Sequence, residues 1–102
     1  MQISHKWDRP VTTNPATNVA SFSASLNGTV NPHGLGTTIH FLYGTTTGYG
    51  STTANQAKTG NTTQNVVANI SGLAANTTYH FQIVGTNTGG TRHGVDRTFT
   101  TH

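Results

Sequence analysis

The feature that most constrains this fold is a two-residue alternation of apolar and polar side chains that recurs along the chain. It is strongest over residues 78–85, where Tyr79, Phe81 and Ile83 alternate with His80 and other side chains. Successive side chains of a β-strand point to opposite faces, so this pattern predicts a strand with one buried face. No stretch keeps the 3.6-residue apolar period of a helix. The chain is therefore predicted to be all-β.

Further strands are predicted at intervals of roughly ten residues, with Gly-, Pro- or Asn-containing turns between them. They cover residues 19–30, 37–43, an edge segment within 51–60, residues 65–70, and a last strand around Val95, Arg97 and Phe99. In the first of them, Phe22, Ala24 and Leu26 are predicted to share a buried face. About seven short strands in one chain of this size predict a single β-sandwich or small barrel.

Composition narrows the classes of function. Cysteine is absent, which excludes disulfides and thiolate metal sites. The net charge of +3 comes from five Lys and Arg against two acids, Asp8 and Asp96. This is a scarcity of acid rather than a basic patch, and aromatic residues are not interleaved with the basic ones, so nucleic acid is not expected as a partner. No apolar run reaches the roughly 18 to 20 residues that membrane insertion needs, so none is expected.

Catalysis is not expected, because the chain has no Cys or Glu and no Gly-x-Ser-x-Gly elbow that would expose a nucleophile. Histidine is abundant, and His40 and His80 are predicted to point outward from neighbouring strands. No third ligand is placed to complete a metal shell, so we interpret both as solvated polar side chains. We therefore expect no catalytic residue, no metal site and no cofactor.

Residues 73–89 resemble the E–F corner, F strand and F–G loop of fibronectin type III domains, with Leu73 and Tyr79 at the family's spacing. Residues 26–32 and 41–50 resemble the B strand, C strand and following turn of bacterial and phage members. The resemblance implies a seven-stranded antiparallel β-sandwich of the fibronectin type III or immunoglobulin-like class. It also implies structural roles for Leu73 and Tyr79, with the tyrosine hydroxyl bonded to backbone upstream.

Two features depart from the family pattern. The tryptophan that many members carry on strand B is missing, and the F–G loop holds no Arg-Gly-Asp sequence. Recognition of the integrin type is therefore not expected.

Residues 1–15 are assigned to an N-terminal arm or linker, and residues 16–102 to the fibronectin type III-like domain. The arm carries the chain's one tryptophan. Because Trp, Ile and Arg are frequent interface anchors, the arm is expected to dock onto a protein partner. The residues expected to do so are Ile3, Lys6, Trp7 and Arg9. Alternatively, the arm folds back over its own sandwich or is a leftover linker.

A second candidate surface is the loop pole, which we define as His33, Arg92 and His93. In the family the B–C loop and the F–G loop, residues 87–94, emerge at the same end of the sandwich. Loops on a rigid scaffold often carry binding residues, although these side chains can equally be explained as solvated loop tips. Tyr49 is the aromatic residue expected to be exposed, and a single ring makes a weak platform for carbohydrate.

These observations predict a non-enzymatic structural or binding module. The first expectation is decoration of a virion or particle surface through the arm, because the chain looks like a small whole gene product. The alternative is an adhesion or carbohydrate-associated accessory or spacer domain of a bacterial extracellular protein. The expected partner is a capsid, tail or surface-layer subunit, with carbohydrate possible. The expected location is a virion surface or the extracellular cell surface.

Overall fold

The computed structural model describes residues 11–32, 34, 36–88 and 90–102, and within these ranges the secondary structure consists of strands and turns. The strand segments are β1 (Val11–Thr17), β2 (Ser23–Val30), β3 (Thr37–Gly44), β4 (Ser51–Thr52), β5 (Gln56–Lys58), β6 (Gln64–Ser71), β7 (Thr78–Asn87), β8 (Gly90–His93) and β9 (Arg97–Thr100). The predicted all-β class is confirmed. In the described ranges there is no helix that is long and apolar enough to cross a membrane.

The segments form two antiparallel sheets. The smaller sheet has the order β1-β2-β6, and the larger sheet is built around the central pair β3-β7. β4 and β5 pair with successive parts of the free edge of β3, and β8 and β9 do the same along β7. Nine segments are therefore found where about seven strands were predicted, because two strand positions are each filled by two short pieces.

The core lies between the two sheets. Its fully buried members include Leu26 and Val66 from the smaller sheet and Phe41, Phe81 and Ile83 from the larger. The ring centroids of Phe41 and Phe81 lie 6.5 Å apart, which is within the range of favourable aromatic contacts. Burying each such side chain contributes about 1.5 to 3 kcal/mol. The alternation in the sequence thus marks the inward face of each sheet.

The corner before β7 is fixed by a tyrosine. Tyr79 and Leu73 are both buried, and the backbone N–H of Ala74 donates a 2.7 Å hydrogen bond to the Tyr79 hydroxyl. The Tyr79 ring also stacks on Phe99 of β9, with centroids 5.5 Å apart. One side chain therefore joins the turn before β7 to the last strand.

The chain enters the sandwich earlier than the sequence suggested. Residues 11–15, which were assigned to the arm, belong to β1, where Val11 and Thr13 are buried and pair with Val30 and Gly28 of β2. Pro15 obscured this strand, but proline is tolerated at sheet edges and bulges. The register shift between Asn14 and Thr17 is such an irregularity.

Phe22 does not share the buried face predicted for it. The strand begins at Ser23, and the Phe22 side chain is 62% exposed. The backbone N–H of Ala20 bonds the Ser23 carbonyl at 2.9 Å, so the chain turns just before β2. Phe22 instead contributes its carbonyl, which accepts a hydrogen bond from Leu73 N–H.

Candidate recognition site on the outer face of the larger sheet

A cluster of three polar side chains, Tyr49, His80 and Asp96, lies on the outer face of the larger sheet. The Tyr49 hydroxyl donates a 2.8 Å hydrogen bond to one carboxylate oxygen of Asp96. The other oxygen lies 2.9 Å from His80 Nδ1. We call this set the Asp96 cluster. It joins three separate parts of the chain through one carboxylate.

Tyr49 is positioned by the tight turn that follows β3. Its backbone N–H bonds the Thr46 carbonyl at 3.0 Å, and the Gly48 N–H bonds the Thr46 hydroxyl at 3.2 Å. Tyr49 itself has a left-handed backbone with φ of 61°. A Cβ at Gly44 would collide with the Tyr49 carbonyl, so glycine is required where the turn crosses back over the strand. The ring therefore projects from a turn of defined shape.

His80 and Asp96 come from neighbouring parts of the same sheet. His80 is on the outward side of β7, opposite Gly44 of β3 and Thr98 of β9. Asp96 lies in the connector between β8 and β9, residues 94–96. The His80 and Asp96 side chains are 27% and 33% exposed, so both remain within reach of a ligand.

The surroundings keep the Tyr49 hydroxyl protonated. Burial, the hydrogen bond to Asp96 and the negative charge of Asp96, in that order, raise the pKa of Tyr49 to about 12. Each of these effects disfavours the phenolate. At neutral pH Tyr49 is thus a fixed hydrogen-bond donor to Asp96.

A second polar pair extends the surface along β7. Gln82 donates a 2.9 Å hydrogen bond through Nε2 to the Gly94 carbonyl, and its Oε1 lies 3.1 Å from His93 Nδ1. Leu42 of β3 is opposite Gln82 and partly exposed. The face thus offers an imidazole, an amide and an apolar side chain beside the Asp96 cluster.

The structure does not bring His40 and His80 together. His40 is opposite Val84, whereas His80 is opposite Gly44, a separation of four residues along the strands or about 13 Å. Among the described residues, no group of three or more His, Cys, Asp or Glu is arranged to hold a metal ion.

The loop pole is not built as predicted. β8 pairs antiparallel with the end of β7, so Arg92 and His93 lie in a strand rather than on a loop tip. They pair with Gly85 and Val84, and successive strand residues point to opposite faces, so the two side chains diverge. The Arg92 guanidinium donates a local 3.2 Å hydrogen bond to the Thr91 carbonyl.

The remaining predicted binding residues fall outside the described part of the chain. His33 is one of them, and the others are the arm residues Ile3, Lys6, Trp7 and Arg9. The described chain begins at Val11, beside a shallow cleft of about 160 Å³. The cleft is lined by Val11, Thr12, Thr13, His93, Gly94 and Val95.

The chain resembles solved structures in its fold and over nearly the whole of a single domain. No protein-family model matches the chain, and no curated protein matches it. Among solved structures, the chain is similar to the sensor domain of the anti-sigma factor RsgI4 of Pseudobacteroides cellulosolvens. A short form of that domain is 26% identical over 92% of this chain and 96% of that chain, with a TM-score of 0.73. A solution structure of the domain is 25% identical over 89% of this chain and 73% of that chain, also with a TM-score of 0.73.

Proposed function

We propose that this chain is a non-enzymatic module of the fibronectin type III class that recognises a partner through the outer face of its larger sheet. The observation that carries this proposal is the Asp96 cluster. One carboxylate holds a tyrosine hydroxyl and an imidazole at 2.8 and 2.9 Å on a sheet face. Groups that are already fixed lose little conformational freedom on binding, which favours recognition.

The class is supported by topology and by the corner before β7. Within residues 11–102 as far as they are described, the smaller sheet has three strand positions and the larger has four, as in a seven-stranded sandwich of immunoglobulin-like type. Tyr79 is buried and accepts a hydrogen bond from the upstream N–H of Ala74, which is the arrangement of a tyrosine corner.

The non-enzymatic assignment is supported by the chemistry of the cluster. A tyrosine that reacts as a phenolate at neutral pH is favoured by a lowered pKa, whereas the pKa of Tyr49 is raised to about 12. The chain holds no Cys or Glu to supply another nucleophile or acid. Asp96 therefore serves to orient its two neighbours rather than to activate them.

The proposed setting is the outside of a bacterial cell, as a domain of a surface protein. Support comes from the similarity to a sensor domain, which spans 92% of this chain and 96% of that domain. A sensor recognises a signal, so this similarity favours recognition over passive spacing. A protein subunit is the proposed partner, and carbohydrate is the second candidate because the Tyr49 ring stands beside hydrogen-bonding groups.

The test is cosedimentation of the full chain with cell envelopes of the organism that encodes it. We expect Asp96→Ala to lower the bound fraction at least about fivefold, because Tyr49 and His80 lose their common anchor. Thr12→Ala, on the outer face of the smaller sheet, is the control and should bind normally. Binding abolished by protease treatment of the envelopes identifies a protein partner, and binding that survives identifies carbohydrate. Normal binding by Asp96→Ala would exclude the Asp96 cluster as the recognition site.

Decoration of a virion or particle surface through the arm is the second candidate function. It is favoured by the place where the arm joins the sandwich, since Val11 lines the cleft together with Val95, which is 60% exposed. Deleting residues 1–10 should abolish cosedimentation with capsid, tail or surface-layer particles while Asp96→Ala leaves it intact. The opposite pattern would favour the sheet face over the arm.

A further inference from the structure

The smaller sheet ends at β6, a long edge strand. β6 pairs with β2 over its full length, from Gln64 opposite Val30 to Ser71 opposite Ser23, with no register shift. Among the strands that the structure describes, it has no neighbour on its other side. In an antiparallel ladder only every second residue bonds one given neighbour, so half of the β6 backbone groups point away from β2. We call this side of the strand the β6 edge.

Val67 identifies which residues face the edge. Its carbonyl accepts a 2.9 Å hydrogen bond from Gln56 Nε2, a side chain of β5 in the other sheet, so the Val67 backbone points away from β2. By the two-residue period, the backbones of Asn65 and Asn69 point the same way. Their side chains lie on the outer face with that of Val67, which is 50% exposed.

The β6 edge lacks the usual protection against strand pairing. Natural edges are commonly blocked by charged side chains, by proline or by bulges. The eight residues of β6, Gln-Asn-Val-Val-Ala-Asn-Ile-Ser, include no charge and no proline, and their pairing with β2 is regular. Among the described residues, only the Gln56 side chain forms a hydrogen bond with the edge-facing backbone of β6.

We propose that the β6 edge is a self-association surface, which adds β6 of a second copy of this chain in antiparallel orientation. The sequence around Val67 is chemically symmetric, with an asparagine two residues before it and another two residues after it. Antiparallel pairing centred on Val67 therefore places Val67 opposite Val67 of the second copy, and Asn65 opposite Asn69 of the second copy. A twofold interface needs such a self-complementary patch.

The asparagines are suited to this pairing. Ser25 of β2 donates a 2.6 Å hydrogen bond to Oδ1 of Asn69, which leaves the Nδ2 protons of that amide as donors. Asn65 of the second copy offers a matching amide oxygen. The absence of charge on β6 also matters, because the chain carries a net +3 and charged edges of two copies would repel each other.

Gln56 acts as a removable cap in this arrangement. Its amide occupies the carbonyl that a second strand would use at the centre of the interface. Pairing of two copies must displace or share this one hydrogen bond in each copy. The cap weakens self-association without closing the edge.

The test is the oligomeric state of the full chain by sedimentation equilibrium, up to about 1 mM. We expect a monomer–dimer equilibrium in the wild type. Gln56→Ala should tighten it by about fivefold to a hundredfold, the effect of releasing one hydrogen bond in each of the two copies. Val67→Lys should weaken it by at least about tenfold, because two lysines would meet at the centre. Thr12→Lys, which adds the same charge to the outer face of β1, should leave it unchanged.

Each variant is checked by its melting temperature, so that loss of the dimer is not confused with unfolding. A backbone-specific variant completes the set. Val67→Pro removes an N–H that points to the open edge and no bond to β2, so it should abolish the dimer in a chain that still folds. A monomer in both wild type and Gln56→Ala would overturn the proposal. So would a dimer that neither Val67 variant weakens.

Discussion

The two edges of the smaller sheet differ in how they are protected. At the β1 edge, Pro15 and a register shift between Asn14 and Thr17 interrupt the ladder. The Arg97 guanidinium then reaches across from β9, and its Nε donates a 2.7 Å hydrogen bond to the Thr13 carbonyl. Proline, a bulge and a cation are each recognised ways to block strand pairing. In the described part of the chain, the β6 edge has none of these, and one glutamine side chain covers it.

This difference corresponds to the hydrogen bonds and packing contacts that join the two sheets. On the β1 side, Thr13 is fully buried and its hydroxyl accepts a 3.3 Å hydrogen bond from the Ile83 backbone in the larger sheet. Gly94 packs against Thr13 at the same place. On the β6 side, among the described residues, the two sheets are joined by the side-chain hydrogen bond from Gln56 to the Val67 carbonyl. We call the β1 side, where Thr13, Ile83 and Gly94 pack together, the closed seam. The β6 side is open enough to accept another strand.

Gly94→Ala tests the closed seam and should have the largest effect. A Cβ at residue 94 would collide with the Thr13 hydroxyl and would lie 2.7 Å from the Ile83 side chain. These atoms are buried between strands and cannot move aside easily, so we expect a loss of about 3 kcal/mol in the free energy of unfolding. Denaturant titration measures it.

Gly36→Ala is the matched control for that experiment. A Cβ at residue 36 would have nothing within 4 Å, so the free energy of unfolding of this variant should stay within about 0.5 kcal/mol of the wild type. Val67→Lys on the open edge should likewise cost little stability. If Gly94→Ala lowered the free energy of unfolding no more than these two variants do, residue 94 would not be tightly packed against Thr13 and Ile83.

Arg97→Met tests the cation that covers the β1 edge. The variant keeps an apolar stem of similar length and removes the bond to the Thr13 carbonyl. We expect a loss of about 1 kcal/mol in the free energy of unfolding, the usual net value of one hydrogen bond. Arg92→Met, which removes a hydrogen bond to the adjacent Thr91 carbonyl, should be neutral and serves as the control.

Arg97→Met also bears on strand pairing. Pro15 and the register shift remain in place, so the variant should associate no more than the wild type in sedimentation equilibrium. New self-association that persists when Val67→Lys is added would show that Arg97 alone protects the β1 edge.

Local pattern was enough to predict three of the longer strands. β3, β6 and β7 lie within a few residues of their predicted bounds, because each alternates strongly and ends at turn residues. β1 was missed, since Pro15 interrupts it and Val11 pairs with Val30, well away in sequence. Phe22 was misplaced because alternation alone does not show where a strand begins.

The Asp96 cluster was only half visible in the sequence. Tyr49 was singled out as an exposed aromatic, but its partner is 47 residues away. A lone aspartate in a short connector has no periodic signal, and its approach to Tyr49 depends on the order of strands β3, β7 and β9. The scarcity of acidic residues was the available clue, since it made any well-placed carboxylate unusual. The β6 edge was hidden for the same reason, because sheet order decides which strand is an edge.

The smallest expected effect concerns the connector of residues 94–96, which contacts the β1 seam through Gly94 and the Asp96 cluster through its other end. Folding raises the pKa of Tyr49 from 10.0 to about 12. The stability associated with this shift is complete below about pH 10. It is lost as the pH rises toward 12, because the unfolded chain releases the proton first.

Asp96→Asn should lower the pKa of Tyr49 but leave it above 10.0, since burial is the largest cause of the shift and the carboxylate contributes the rest. Tyrosine titration followed by ultraviolet absorbance or NMR measures the change. Val67→Lys, on the opposite side of the sandwich, should leave the titration of Tyr49 unchanged. A Tyr49 pKa that fell equally in both variants would mean that the two edges are coupled. The β6 edge would then not behave independently of the closed seam and the Asp96 cluster.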